Sequence, residues 1–384
     1  MKPNKTLATD SIKIGILTHP LAGNYGGMLQ AYALHTVLKR KGFSPFLLDR
    51  DLEKKPGKRA ILRDWWYLLK RLWGPVSSEC YLPFCVERRA GKQFQKLPAA
   101  GLNIVHLNEL SAFRRENTVR WVVGSDQVWR GIYARWICSL PFFFLNFVTP
   151  LERQNSIAYA ASFGSDKWEG NEYETSECKR LLADFKAVTV REQSGVNICR
   201  SVLEKDAIQM PDPTLLLNKE DYNRIIESSN TASNDGNYIA TYILDANEEK
   251  LEICREVAAR MQLHHQCLMP VGSAKKRQER FPISVPQWLR YMRDCNCLIT
   301  DSFHGCVFAI IFNKPFVCLG NRERGNARFE SLLGTFNLFN HYVSDATPDS
   351  ILLLLSAAMN WGEVNALRCK ECTRAMIFLN KELT

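Results

Sequence analysis

The strongest constraint in this chain is a rhythm that begins at its first apolar run. "SIKIGILTH" (Ser11 to His19) is short, apolar and bounded by polar residues, as a strand buried on both faces should be. "PLAGNYGG" follows as a glycine-rich loop. "MLQAYALHTVLKRKG" then places Leu29, Ala33, Leu34, Val37 and Leu38 on a helical face and stops at Gly42, and "FSPFLLDR" reads as a second strand. Strand, loop, helix and strand in that order open a doubly wound α/β domain.

The rhythm continues. Strands are expected at "RWVV", "NSIAYAA", "FKAVTV" and "AIQM". The polar, Ser/Asn/Gly-rich stretch "ESSNTASNDGN" (Glu227 to Asn237) is the clearest linker. After it the pattern restarts, with strands at "YIATYIL", "HHQCLMPV", "NCLITD" and "KPFVCLG" alternating with helices. The expected fold is α/β, with two Rossmann-like domains facing a cleft. We place an N-terminal domain at 11–228, a C-terminal domain at 238–335 and a helical tail at 336–384. A basic, aromatic helical insertion is expected at 51–110.

In open parallel sheets ligands bind beyond the carboxyl ends of the strands. Five such ends carry polar or glycine clusters: Asn24 to Gly27, Gly124 to Gln127, Ser162 to Gly164, Arg191 to Ser194 and Asp301 to Gly305. In "LITDSFHGCVFAIIFN" a polar break separates a strand from an entirely apolar helix, with His304 in the first helical turn. An unperturbed imidazole titrates near ~6.5 and suits acid–base work, although a single such histidine is also a common core residue. Arg191 offers a bidentate fork to phosphate or carboxylate, and Arg322, Arg324 and Arg328 follow the strand "KPFVCLG". The glycines of "GNYGG" suit an anion at a helix N-terminus, or simply a tight turn.

The chain carries a net charge of +10. Its bases concentrate in Arg50 to Gly74, interleaved with Trp65, Trp66, Tyr67 and Trp73, and in Gly272 to Arg280. The first stretch suits either a membrane-surface helix or a helix packed on its own domain. No recognisable nucleic-acid module accompanies the charge, and none of the histidines, including His264–His265, has metal-ligand spacing. The 13 cysteines are scattered through apolar stretches, and no long apolar segment follows the first lysines. A reducing cytoplasm with free thiols is the expectation. The CxxC of Cys369 and Cys372 stands alone and reads as a helix-end pair.

"NYGGMLQAYAL", "VVGSDQVW", "YAASFG", "VREQSG", "DPTLLL" and "TDSFHGCVFAIIFNKPF" occur in an order and spacing that resemble the polysaccharide pyruvyl transferase family, over about residues 13–335. The resemblance implies a glycosyltransferase-B-like architecture. It implies transfer of a pyruvyl group from phosphoenolpyruvate to two hydroxyls of a sugar, with release of phosphate and no metal or redox cofactor. It implies His304 as acid and base. Arg191, Ser302, Phe303 and Arg324 or Arg328 would lie on phosphoenolpyruvate, and Asn24, Tyr25, Gln30, Ser125, Asp126 and Trp129 on the acceptor. Some members have Arg-Leu-His where this chain has Ser302-Phe303-His304, so one expected arginine is missing. The acceptor implied is a surface-polysaccharide sugar, and the basic aromatic helix hints at a polyprenyl-diphosphate-linked oligosaccharide at the inner membrane face. A nucleotide-sugar glycosyltransferase on the same architecture and a noncatalytic sugar- or lipid-binding protein are the competing readings.

Overall fold

A computed structural model describes residues 12–49, 65–66, 69–70, 91–229, 236–270, 281–320 and 326–384. Two parallel sheets organise it. The first takes β1 (Lys13–Leu17), β2 (Ser44–Asp49), β3 (Ile104–His106), β4 (Val119–Val123), β5 (Ile157–Ala161), β6 (Ala187–Val190) and β7 (Ile208–Gln209). Its order is β3-β2-β1-β4-β5-β6-β7. The second takes β8 (Tyr238–Tyr242), β9 (His264–Cys267), β10 (Cys297–Thr300), β11 (Phe316–Leu319) and β12 (Tyr342–Val343), in the order β12-β11-β10-β8-β9. Each sheet reverses direction of growth at its first strand, and that reversal opens the crevice in a doubly wound domain.

Five helices matter for the site: α1 (Tyr25–Arg40), α2 (Gln193–Ser201), α3 (Phe303–Phe312), α4 (Ala327–Thr335) and α5 (Trp361–Leu383). Every residue of α3 is buried. A ten-residue helix of that composition is held by packing rather than by amphipathic contrast with water. The Ser302 side chain caps its start, and Asn313 ends it at φ 53, in the left-handed conformation asparagine tolerates.

Two expectations change here. Residues 104–106 lie within the segment expected to be a helical insertion, yet they form the edge strand of the first sheet, paired with β2. "IVH" is too short to announce itself by alternation. Residues 336–384 were expected to be helical throughout. Tyr342–Val343 instead pairs with β11, and only then do the helices Pro348–Ser356 and α5 follow. The core of the linker, 230–235, lies outside the described residues, as do Arg50, Tyr67, Trp73 and residues 272–280.

The two sheets share one apolar seam. Tyr25 stacks on Trp288 at 5.4 Å, Trp288 meets Phe308 edge-on at 5.2 Å, and Phe308 meets Tyr222 at 4.9 Å. Offset and edge-on aromatic pairs of this kind add about 0.5–1.5 kcal/mol each beyond area burial. Helix α5 returns from the second sheet to the first. Arg368 donates to the Leu215 and Leu217 carbonyls, Cys372 to Leu215, and Arg120 to the Leu383 carbonyl. Cys372 therefore sits against a backbone carbonyl, while Cys369 is exposed.

Candidate functional site

The carboxyl ends of β1, β4, β8 and β10 converge on a cavity of ≈ 280 Å³. Its walls include His19, Asn24, Asp126, Asp301, Ser302, Phe303, His304 and Arg328. Both domains contribute, which is why no single sequence segment contains the site.

His304 enters from the first turn of α3. Its Nε2 lies 3.6 Å from Asp212 Oδ2, near enough for charge but beyond hydrogen-bond reach. Asp212 caps the short 3₁₀ turn Pro213–Leu216, and its Oδ1 accepts from Thr214 N at 3.0 Å and Thr214 Oγ1 at 2.6 Å. Its other oxygen accepts from Arg191 Nη1 at 2.9 Å. Burial alone would raise this carboxyl. The imidazole of His304, the Arg191 guanidinium and the Thr214 hydroxyl outweigh burial and hold it well below the usual carboxylate range. Asp212 is thus an anion that faces the imidazole.

Arg191 is buried between two carboxylates, Asp212 and Asp126, the latter 3.6 Å from Nη2. Burial opposes its charge, but the carboxylates of Asp212, Asp126 and Glu192 prevail and raise it. Its guanidinium also lies 4.3 Å over the Phe303 ring. Its Nε and Nη2 are buried without a hydrogen-bond acceptor among the described residues. Arg328, from α4, shares the neighbourhood. Burial, and next the charge of Arg191, push it down to about 10 against the carboxylates of Glu192 and Asp126, so it remains a cation at neutral pH.

Asp126 closes the other side. It sits at φ 68, a conformation that costs a non-glycine residue about 1–2 kcal/mol. Burial would raise its carboxyl, but Arg191, His19 and His304 overcome that and lower it. Asn24, the N-cap of α1, accepts from Gly27 N at 3.0 Å and donates to Asp126 Oδ2 at 3.2 Å. Asp301 is committed elsewhere: its oxygens accept from Leu244 N at 2.6 Å and Asp245 N at 3.2 Å.

Of the residues expected on the donor, the structure gathers Ser302, Phe303 and Arg328 at the cavity and places Arg191 directly behind Phe303. Arg322 and Arg324 lie outside the described residues. Of those expected on the acceptor, Asn24 and Asp126 line the cavity and four others do not. Tyr25 turns across the interdomain seam, donating to the Ile283 carbonyl at 2.8 Å. Gln30 is a buried brace: Nε2 donates to Thr18 Oγ1 and Gly27 O, and Oε1 accepts from Ser125 N. Ser125 lies beneath the site, with Oγ 2.6 Å from the Ala160 carbonyl and 3.3 Å from Asp212 Oδ2. Trp129 is core, stacked on Phe144 at 4.8 Å and donating to the Phe143 carbonyl. Asp212 and Gln127 fall within quoted motifs but, like His19, were given no site role from sequence. The "PDPT" turn directly after β7 is the signal that would have found Asp212.

Gly26 shows how tightly the domains meet. A Cβ there would overlap the His304 ring. Gly26→Ala should therefore leave each domain folded but displace His304 or open the cleft. The expected loss of catalytic rate is about 10²-fold, in line with the cost of small misplacements, with a stability loss of about 1–3 kcal/mol from the overpacked contact. Steady-state kinetics beside calorimetry checks it.

Two Rossmann-like domains with a buried histidine at the cavity, a carboxylate facing it and buried arginines from a strand end and a helix define a two-domain α/β protein with an interdomain cavity. The chain belongs to the polysaccharide pyruvyl transferase family, whose model matches residues 24–323. No curated protein matches the chain significantly. Among solved structures, the spinosyn rhamnosyltransferase SpnG is 12% identical with a TM-score of 0.48, covering 97% of this chain and 100% of its own. The UDP-N-acetylglucosamine 2-epimerase from Rickettsia bellii is also 12% identical, with a TM-score of 0.45 and coverage of 97% and 98%. Likeness at this level says nothing about substrate or reaction.

Proposed function

We propose that this protein moves the pyruvyl group of phosphoenolpyruvate to two hydroxyls of a sugar, forming a cyclic ketal in surface-polysaccharide synthesis. The observation that carries the reading is His304 at the cavity, backed by Asp212 and Arg191, with Arg328 beside it on the wall. Phosphoenolpyruvate presents a phosphate and a carboxylate on a small frame. Arg328, Arg191 and the N-terminal N–H groups of α3 suit those charges. In this reading Arg328 supplies the cation that Ser302 does not.

The chemistry asks for a proton on the methylene carbon, attack by one hydroxyl at the adjacent carbon, departure of phosphate and closure by the second hydroxyl. His304 donates that proton, with Asp212 facing its ring. The arginines offset charge building on the departing phosphate. Asn24 and Asp126, on the opposite wall, hold sugar hydroxyls. No metal or redox cofactor enters this scheme. The test compares equilibrium binding of phosphoenolpyruvate with that of nucleotide-sugars, then follows phosphate release in the presence of saccharides. Binding of a nucleotide-sugar with no affinity for phosphoenolpyruvate would favour glycosyl transfer. Ligand binding with no turnover would favour a noncatalytic role.

We further propose that the acceptor is lipid-linked, as a polyprenyl-diphosphate oligosaccharide, and that the protein works in the cytoplasm against the inner membrane face. Trp65, Trp66 and Leu69 support this: all three are exposed, by 59%, 50% and 48%. Exposed rings beside bases suit a bilayer interface. No single helix among the described residues is long and apolar enough to cross a membrane. Deleting residues 56–74 should abolish sedimentation with vesicles containing anionic lipid while leaving the core folded. Unchanged sedimentation would remove the proposal.

A further inference from the structure

Pyruvyl transfer has a proton balance that one histidine does not close. Two sugar hydroxyls each lose a proton. One proton is matched by the proton delivered to the methylene carbon, which becomes a methyl group. That exchange leaves His304 as it began. The second hydroxyl proton needs another acceptor, either the departing phosphate or a base on the protein.

The carboxylates on the cavity wall, and Asp212 behind it, narrow the choice. Asp126 is tied to Arg191 and receives the Asn24 amide, and it is held below the usual carboxylate range. Asp301 receives two backbone N–H groups. Asp212 faces His304 and Arg191. His19 is different. It stands just beyond β1, on the wall formed by Asn24, Asp126 and Gln127. Its ring is wedged edge-on against Phe143 at 5.6 Å and Tyr133 at 6.3 Å, so its plane is fixed. Its Nε2 is buried and has no hydrogen-bond partner among the described residues. A buried, unpartnered imidazole nitrogen is an unfavourable feature unless a ligand completes it. Burial, the largest influence, and the Arg191 charge keep the ring neutral, against the pull of Asp126 and the Gln127 backbone. A neutral imidazole can accept a proton from a hydroxyl.

Resting on the pyruvyl-transfer reading, we propose that His19 is the second base of the site: its Nε2 accepts the hydrogen bond of an acceptor hydroxyl and takes that proton as the carbon–oxygen bond forms. The proton then passes from the imidazolium to the released phosphate or to water. This assigns the cavity two faces, with His304 and Arg328 toward the donor and His19 toward the sugar.

The test uses full-length protein, phosphoenolpyruvate and a panel of p-nitrophenyl hexosides with free 4- and 6-hydroxyls. His19→Gln and His19→Asn are compared with wild type for phosphate release, phosphoenolpyruvate affinity and melting temperature. The expected result is a fall in kcat of about 10²-fold or more in both variants, the usual scale for losing a general base. Phosphoenolpyruvate affinity should stay within about twofold of wild type, as it does when only a transition-state role is lost. Activity within a few fold of wild type would overturn the role of His19 and leave the pyruvyl-transfer reading standing. A parallel loss of donor affinity or melting temperature in both variants would make His19 structural and overturn the proposal equally. Wild type that binds no phosphoenolpyruvate would sink the reading itself, and the proposal with it.

Discussion

His304→Ala will reduce phosphate release from phosphoenolpyruvate by about 10²–10⁴-fold, the range associated with a positioned proton donor. The argument is geometric. The histidine sits at the start of a wholly buried helix, so its position is set by packing and not by a loop. Asp212 faces its Nε2, and Gly26 leaves no room for the ring to swing. Fixed orientation is what makes a single imidazole an efficient proton donor. The variant should keep affinity for phosphoenolpyruvate, since the arginines remain. His304→Gln, which preserves more of the volume, should lose as much activity with a smaller change in melting temperature. Retention of full activity by a folded variant would remove His304 from the chemistry.

Arg191→Met should be the most destabilising single change at the site. Arg191 is buried against two carboxylates, and its loss leaves Asp126 and Asp212 without their shared cation. Breaking a buried ionic cluster by removing one partner costs about 3–5 kcal/mol. Urea unfolding at neutral pH reads the loss directly. The pH dependence has a definite sign. Asp212 titrates lower in the folded than in the unfolded chain. Its contribution to stability is therefore complete above the unfolded value, near ~3.9, and is lost as pH falls toward the folded value. Arg191→Met should flatten that acid-side decline, because the arginine helps to depress the carboxyl. An unchanged unfolding midpoint would show that the cluster holds little of the fold.

The fold was legible in this sequence because its signal is repeated. Buried parallel strands are short apolar runs, and each is followed by a turn and a helix that can be read independently. β3 and β12 escaped because they are three and two residues long and lie inside segments whose surroundings read as helical, whereas the equally short β7 follows the α/β rhythm. The site was legible only as a set of strand ends. Asn24, Asp126, Ser302, Phe303, His304 and Arg328 do meet at one cavity, because strand ends in two doubly wound sheets converge on a crevice. Direction was not legible. Tyr25 and Gln30 lie in the same helical stretch as Asn24, yet one braces the other domain and the other supports the Ser125 backbone. Trp129 looks like a sugar platform by composition and is a core ring by placement. Asp212 opens the "DPTLLL" motif but received no role of its own, because nothing in the sequence shows that it faces His304. His19 was passed over because a histidine at a strand end is ordinary until its unpartnered nitrogen is located in space.

The central claim is that phosphoenolpyruvate and a sugar meet at this cavity. The most direct measurement supplies carbon-13-labelled phosphoenolpyruvate with a saccharide panel and follows the pyruvyl carbons by NMR alongside phosphate. The account predicts phosphate release that depends on the saccharide and matches, one for one, the appearance of a methyl-bearing ketal carbon. It predicts that His304→Ala abolishes both signals together. Consumption of nucleotide-sugars with no ketal carbon from phosphoenolpyruvate would contradict it.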